Sequence, residues 1–354
     1  MTRESVPGDG GSAPATGDIP ASGAAEIAGS DAAHLAREAP AEAARERLVG
    51  GIFAFSAYFL WGFLPLYFIL LAPITGWELV GWRILLSLVF CIFLLTVMRA
   101  WRPFLAIVRQ PRLLGWTALA GAVIYVNWQV FILATLSGHV IETSLGYFIN
   151  PIATVLLGVL VLRERLRLTQ WIAIAIAGIA VIVTIVGYGT VPWVALTLAA
   201  SFSIYGLIKK RIGPSVDAVS GLTLESAWLT PLAIVLLVVT SLTTGLSVGA
   251  YGFWHAVLVS LAGAATAVPL LLFAAGARRV PLTVVGLLQF IAPIMQFITG
   301  AWILGEPMPP ERWVGFALVW VALAVLTVDS VVFARRARGG VGYSPRNGRV
   351  FLSF

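Results

Sequence analysis

Charge is what this chain has least of. Asp, Glu, Lys and Arg together make up 11% of its 354 residues, against roughly 25% in a typical soluble domain. A soluble chain of this size needs more charges to cover its surface, which excludes a soluble enzyme, a DNA-binding module and a coiled coil. Cysteine is almost absent. The single Cys91 lies in an apolar run, so neither an internal disulfide nor a cysteine-based metal site is available. The three histidines, His34, His139 and His255, are too far apart for a zinc motif on one helix. No Gly-x-x-x-x-Gly-Lys-Ser/Thr loop occurs, so the chain is not expected to use ATP itself. No cofactor and no metal are expected.

What is present is apolar. Hydrophobic residues are 59% of the chain and the mean hydropathy is +0.94, the mark of a polytopic membrane protein. Residues 1–47 stand apart. They hold eight of the 16 acidic residues, spaced by Ala, Gly, Ser and Pro. So few large apolar side chains cannot offset ordering entropy, so a disordered cytoplasmic tail is expected, with a nascent helix near Ala41–Arg47. It lacks the basic-then-apolar pattern of a signal peptide. Residues 334–354 form a second tail, polar and basic.

Between the tails are ten apolar runs, each long enough at 1.5 Å per residue to cross about 30 Å of hydrocarbon. They are Leu48–Leu71, Leu79–Met98, Leu113–Leu136, Ile141–Leu162, Trp171–Tyr188, Val191–Ile208, Val219–Thr240, Trp254–Gly276, Leu282–Leu304 and Trp313–Phe333. The fold class expected is an all-α integral membrane bundle of ten transmembrane helices. With both termini cytoplasmic, of the 23 Lys and Arg only Arg83 and Arg312 fall outside cytoplasmic segments. The net charge of +7 therefore orients a protein in a lipid bilayer, and no nucleic-acid partner is expected.

The chain also repeats itself. Phe148-Ile149-Asn150-Pro151-Ile152 returns 142 residues later as Phe290-Ile291-Ala292-Pro293-Ile294. In the same register Gly121 meets Gly263, Phe131 meets Phe273, Gly158 meets Gly300, Glu164 meets Glu306 and Trp171 meets Trp313. Two repeats are expected, 48–188 and 189–333, each of five spans. An odd number turns the second repeat upside down. The charges agree: Arg163, Arg165 and Arg167 are replaced by Gly305, Pro307 and Pro309 where that loop should face outward. Inverted repeats are the architecture of alternating access, with a substrate site near the midplane.

The run Glu142-Thr143-Ser144-Leu145-Gly146-Tyr147-Phe148-Ile149-Asn150-Pro151 resembles the central signature of the RarD group. So do Tyr58-Phe59-Leu60-Trp61-Gly62, Asn127-Trp128, Tyr205-Gly206-Leu207, Val268-Pro269-Leu270-Leu271 and Gln289-Phe290-Ile291-Ala292-Pro293. This group lies in the EamA family of the drug/metabolite transporter superfamily. The resemblance covers about Leu48 to Ala334. It implies a ten-helix inner-membrane permease with two EamA repeats and leaves the substrate open. One departure is Leu162-Arg163-Glu164-Arg165, where relatives commonly have Leu-Gly-Glu-Arg. The loop is cytoplasmic, so no effect on substrate choice is expected.

Polar groups in hydrocarbon need a partner, a cavity or a task. Arg83 is expected near the outer end of its span. Its alternatives are attracting an anion, pairing with Glu142, or snorkelling to the headgroups. Glu225, two turns into the seventh span, is the candidate for proton coupling, against a structural hydrogen bond between helices. Asn127, Asn150, Gln289 and Gln296 lie midway along their spans. Asn150 precedes Pro151, and Pro293 follows Gln289 closely, so matching kinks beside a cavity are expected. Helix-to-helix hydrogen bonding is the alternative for these amides. Trp61, Trp128, Tyr147, Tyr205 and Trp228 are candidates for an aromatic wall, against packing or an interface belt. Glu164 and Glu306 are expected to face solvent.

The function expected is a secondary transporter moving a small organic metabolite or drug across the cytoplasmic membrane, outward and coupled to protons. An intramembrane enzyme would need a nucleophile with a base, and none is visible. A sensor or scaffold that binds without flux is the alternative reading. A homodimer stays open, because the small residues Ala173 and Ala177 serve packing within one bundle equally well.

Overall fold

The computed structural model describes residues 21–162, 166–277, 279–280 and 282–339. The expectations for the outermost tails and for Arg163, Glu164, Arg165 and Arg278 concern positions outside these. Contacts divide the chain after Leu48. Among the described residues there are helices and no strands. In order they are α1 (Ala21–Leu70), α2 (Gly76–Val97), α3 (Trp101–Val108), α4 (Pro111–Leu136), α5 (Val140–Leu162), α6 (Leu168–Tyr188), α7 (Trp193–Ile212), α8 (Ala218–Thr243), α9 (Phe253–Ser260), α10 (Ala262–Ala277), α11 (Leu282–Leu288), α12 (Ile291–Ile298), a π-helical turn (Thr299–Ile303) and α13 (Pro310–Gly339).

Local chemistry sets the helix ends. Thr75 starts α2 by accepting the Glu78 amide, and Asp217 starts α8 by accepting the Val219 and Ser220 amides. Pro111 occupies the first turn of α4, where its missing N–H costs nothing. Gly189 ends α6 at φ 71°, a left-handed conformation that glycine adopts without penalty. Eight segments are long and apolar enough to cross a membrane: Arg45–Leu70, Gly76–Val97, Pro111–Leu136, Val140–Val161, Leu168–Val186, Ala218–Thr243, Phe253–Ala277 and Pro310–Asp329. Their outward faces carry large apolar side chains such as Val89, Phe93, Ile182, Val186 and Leu242. Helices satisfy their own backbone, so such a surface suits lipid.

Two of the ten expected spans differ from the other eight. The stretch Val191–Ile208 is α7, a 20-residue helix that continues into Lys209, Lys210 and Arg211 in its last turn. The stretch Leu282–Leu304 is not one helix. It breaks at Gln289–Phe290, restarts as α12 and ends in the π-helical turn. Pro293 has no N–H to return to the Gln289 carbonyl, which favours a break there. The matching α5 runs through Pro151 without one, so the two halves do not kink alike.

The core follows the helix pairs. The longest contacts are α2 along α8, α5 along α7 and α6 along α13, while α4 packs on α7 and α8, and α10 on α2. Glycines allow two close crossings. A Cβ at Gly263 of α10 would collide with the Leu86 backbone of α2, and one at Gly121 of α4 would come 3.2 Å from the Glu225 carbonyl of α8. The Ala173 and Ala177 face is consumed inside the bundle, in a cluster with Phe316, Val319 and Ala322 of α13.

Candidate functional site

The Thr75 cap fixes where α2 begins, and so sets Arg83 seven residues in, about 10 Å along the axis. The side chain is 4% exposed, so it does not snorkel. It does not pair with Glu142 either, because that carboxylate faces Arg312 at 3.6 Å. Instead Arg83 Nε donates to Thr266 Oγ1 of α10 at 2.8 Å. Thr266 in turn donates to the Ala262 carbonyl, so its one proton is spent and it faces Arg83 as an acceptor. The guanidinium carbon lies 4.5 Å from the Trp128 ring centre and 5.6 Å from that of Phe68. Arg83 Nη1 is buried with no acceptor.

An amide network joins this group to α7. Asn127, one residue before Trp128 on α4, is buried. Its Nδ2 donates to the Leu198 carbonyl at 3.2 Å and to Ser201 Oγ at 3.0 Å. Its Oδ1 accepts from the Tyr147 hydroxyl of α5 at 3.3 Å. Tyr147 stands edge-on to Phe131 and Phe202, and Phe131 is edge-on to Phe68. Four of the expected site residues, Arg83, Asn127, Trp128 and Tyr147, therefore line one aromatic and amide cluster.

Glu225 marks a second centre. It is fully buried on α8, with Oε1 2.7 Å from Lys209 Nζ and Oε2 accepting from the Tyr205 hydroxyl at 3.0 Å. Phe202 links the two centres, lying 5.9 Å from Tyr147 and 6.2 Å from Tyr205 between ring centres. Glu225 is thus paired across two helices. It is also not alone among membrane carboxylates: Asp329 of α13 pairs with Arg167 at 2.7 Å.

The remaining candidates lie apart from both. Asn150 Oδ1 accepts from Ser203 at 2.7 Å, a bond between α5 and α7. Trp61 packs against Tyr58 and Phe273. Its carbonyl accepts from Gln296 Nε2 at 3.4 Å, while Gln296 Oε1 is buried without a donor. Gln289 sits half-buried at the break between α11 and α12. Trp228 is 49% exposed and forms no part of an aromatic wall.

Several polar partners escaped the sequence. Lys209 reads as a loop charge, yet α7 continues past it and its amine reaches Glu225. Thr266, Ser201 and Ser203 look like small packing residues until their acceptors are seen. Glu306 overturns its expected solvent exposure. It is buried, and its carboxylate accepts the first two amides of α5, Val140 at 2.6 Å and Ile141 at 3.0 Å. Its repeat partner Glu164 was the available signal, and that residue lies outside the described ones.

Comparisons with known proteins bear on the family and the fold. Residues 48–186 match the EamA-like transporter family. The chain is 43% identical over 297 residues to Protein RarD of Streptomyces exfoliatus, covering 84% of this chain and 94% of that protein. It is 38% identical over 293 residues to an uncharacterized transporter of Vibrio cholerae, covering 82% and 96%. A crystal structure with 17% sequence identity aligns with a TM-score of 0.52, over 79% of this chain and 97% of that one, and shares the fold. With a family match over residues 48–186 and a relative 43% identical over most of both chains, the chain belongs to the RarD group of the EamA-like transporter family.

Proposed function

We propose that this membrane transporter is a secondary transporter that moves a small organic metabolite or drug out of the cell by alternating access between two inverted five-helix repeats. What carries the reading is a recurrence of helix starts. Gly76 and Ala218 begin α2 and α8; Pro111 and Phe253 begin α4 and α9; Val140 and Leu282 begin α5 and α11; Leu168 and Pro310 begin α6 and α13. Each pair is 142 residues apart, the offset of the sequence repeat. On this reading α7 and the broken α11–α12 segment supply the sixth and ninth of ten spans. An interrupted span at the contact between repeats is a common feature of transport sites.

Reciprocal packing supports the inversion. Gly121 brings α4 of the first repeat onto α8 of the second, and its repeat partner Gly263 brings α10 of the second onto α2 of the first. A two-fold relation between halves produces such exchanged crossings. The basic residues support cytoplasmic termini.

The substrate site of this reading is the Arg83, Asn127, Trp128 and Tyr147 cluster, where polar groups from three helices meet rings. Asn150, Trp61 and Gln289 lie apart from it, and Tyr205 belongs to the Glu225 pair. Coupling is assigned to Glu225: a proton taken up there would release Lys209, and both leave their positions when α7 and α8 separate. Flux through purified protein in liposomes tests the proposal. A panel of amino acids, nucleosides, amphenicols and organic cations would be run with and without an imposed pH gradient. Transport that collapses without the gradient and in Glu225→Gln is expected. Flux indifferent to the gradient would remove the coupling role, and binding without flux would remove the transporter reading.

A further inference from the structure

Among the described residues the buried cations are Arg83 and Arg312, and Arg83 has no anionic partner. The charges that pair within the bundle are matched with one another. Lys209 has Glu225, Arg167 has Asp329, and Arg312 has Glu142. Glu78, one turn from Arg83 on the same helix, accepts the amides of Ser247 and Val248 and the Trp82 indole. Glu306 is committed to the start of α5. The carboxylates are used elsewhere, and the guanidinium is held between rings with one edge unspent.

That edge has a definite chemistry. A guanidinium carries five N–H donors in a planar fork that matches a carboxylate by two parallel hydrogen bonds. Here Nε is taken by Thr266, one ring approaches the guanidinium at 4.5 Å and a second at 5.6 Å, and Nη1 has nothing to donate to. Thr266 and the rings hold the fork in place. Around it are Phe68, Trp128 and, through Phe131, Tyr147: apolar surface with a hydroxyl at its margin. A cation would be repelled from this place, and a neutral solute would leave the charge uncompensated.

We propose that Arg83 is the anion-binding element of the transport site and that the ligand it receives is an organic carboxylate with an apolar body. The inference rests on the transporter reading for its physiological meaning. It concerns binding, so the two can fail separately. The ligand's charge would complete the bundle's electrostatics, and its body would lie against the rings.

The test uses the full chain in detergent and in liposomes. Four probes are compared by thermal shift and tryptophan quenching: phenylacetate, its neutral counterpart phenylacetamide, zwitterionic phenylalanine and cationic phenylethylamine. At least one acid is expected to bind, at least about tenfold more tightly than its counterpart without the carboxylate. Which acid binds separates simple carboxylates from amino acids. Arg83→Gln should weaken that binding about 100-fold, with Arg83→Lys between the two, since an ammonium keeps charge without the fork. The proposal is overturned if amide or amine binds as well as its acid, if folded Arg83→Gln binds as wild type does, or if neither acid binds at millimolar concentration. Should Arg83→Gln fail to fold, the acid-against-counterpart comparison on wild-type protein decides. An acid that binds through Arg83 and is never carried supports this inference and sinks the transporter reading. A neutral solute carried equally by wild type and Arg83→Gln supports the transporter and sinks this inference.

Discussion

Arg83 and Glu225 are 142 residues apart, the offset of the sequence repeat, and each lies seven residues into its helix. Both are buried, and they carry opposite charge. Their surroundings differ in one respect. Glu225 has a counter-ion from the neighbouring helix and a phenol besides, whereas Arg83 has rings and one hydroxyl. Taking a charge out of water costs several kcal/mol, and only a well-placed partner offsets it. Glu225 is offset within the protein. Arg83 is offset incompletely, and on the proposal made above a ligand carboxylate supplies the remainder. One site reads as a clasp between helices and the other as a receptor.

The largest effect should come from the crossing that frames Arg83. Gly263→Val drives a side chain into the α2 backbone and is expected to cost more than about 4 kcal/mol, leaving little folded protein by gel filtration. Gly121→Val at the matching crossing should be milder, because its nearest neighbour stands 3.2 Å from the added Cβ. Equal severity would argue against the asymmetry drawn here.

Next comes Lys209→Met, which strands a fully buried carboxylate and should lower stability by about 3 kcal/mol in thermal unfolding. Glu225→Gln should cost about 1 kcal/mol, since the amide still offers an oxygen to Lys209. The double variant should be more stable than the sum of the two losses, because the stranded charge is gone. Strict additivity would show that the pair is not a clasp. Asn127→Leu removes three hydrogen bonds and should cost about 2 kcal/mol, without changing the oligomeric state. The smallest stability change should come from Arg83→Met. Losing the contact with Trp128 opposes losing a buried charge, so unfolding should shift by less than about 1 kcal/mol in either direction. A fall as large as that of Lys209→Met would mean that Arg83 is already satisfied.

Much of this arrangement can be read without coordinates. Long apolar runs, a repeated register and a scarcity of charge suffice for an all-helical membrane bundle, because hydrocarbon permits few ways to satisfy a backbone. The sequence also picks out Arg83 and Asn127, since charged and amide groups in such runs are few, and Trp128 and Tyr147 through the runs they share with Asn127 and Asn150. Partnership was harder to see. The Lys209 to Glu225 bond depends on a helix running past its first basic residue, while hydropathy ends the span at Ile208. Pro151 and Pro293 look alike in sequence, yet one helix continues and the other breaks. The difference is not local to the prolines, and the two helices meet where Ser144 donates to the Pro293 carbonyl at 2.8 Å. Glu306 looked like a loop charge because nothing local announces that it caps a helix elsewhere.

That cap has a consequence for biosynthesis. The amides of Val140 and Ile141 receive their acceptor from a residue 166 and 165 positions later. At about 5–20 residues per second, the ribosome needs roughly ten to thirty seconds to supply it. Until then the first five helices sit in the bilayer with one helix end untied, and Arg312, the partner of Glu142, has also not been made. The start of α5 is therefore completed only when the last part of the chain has been made.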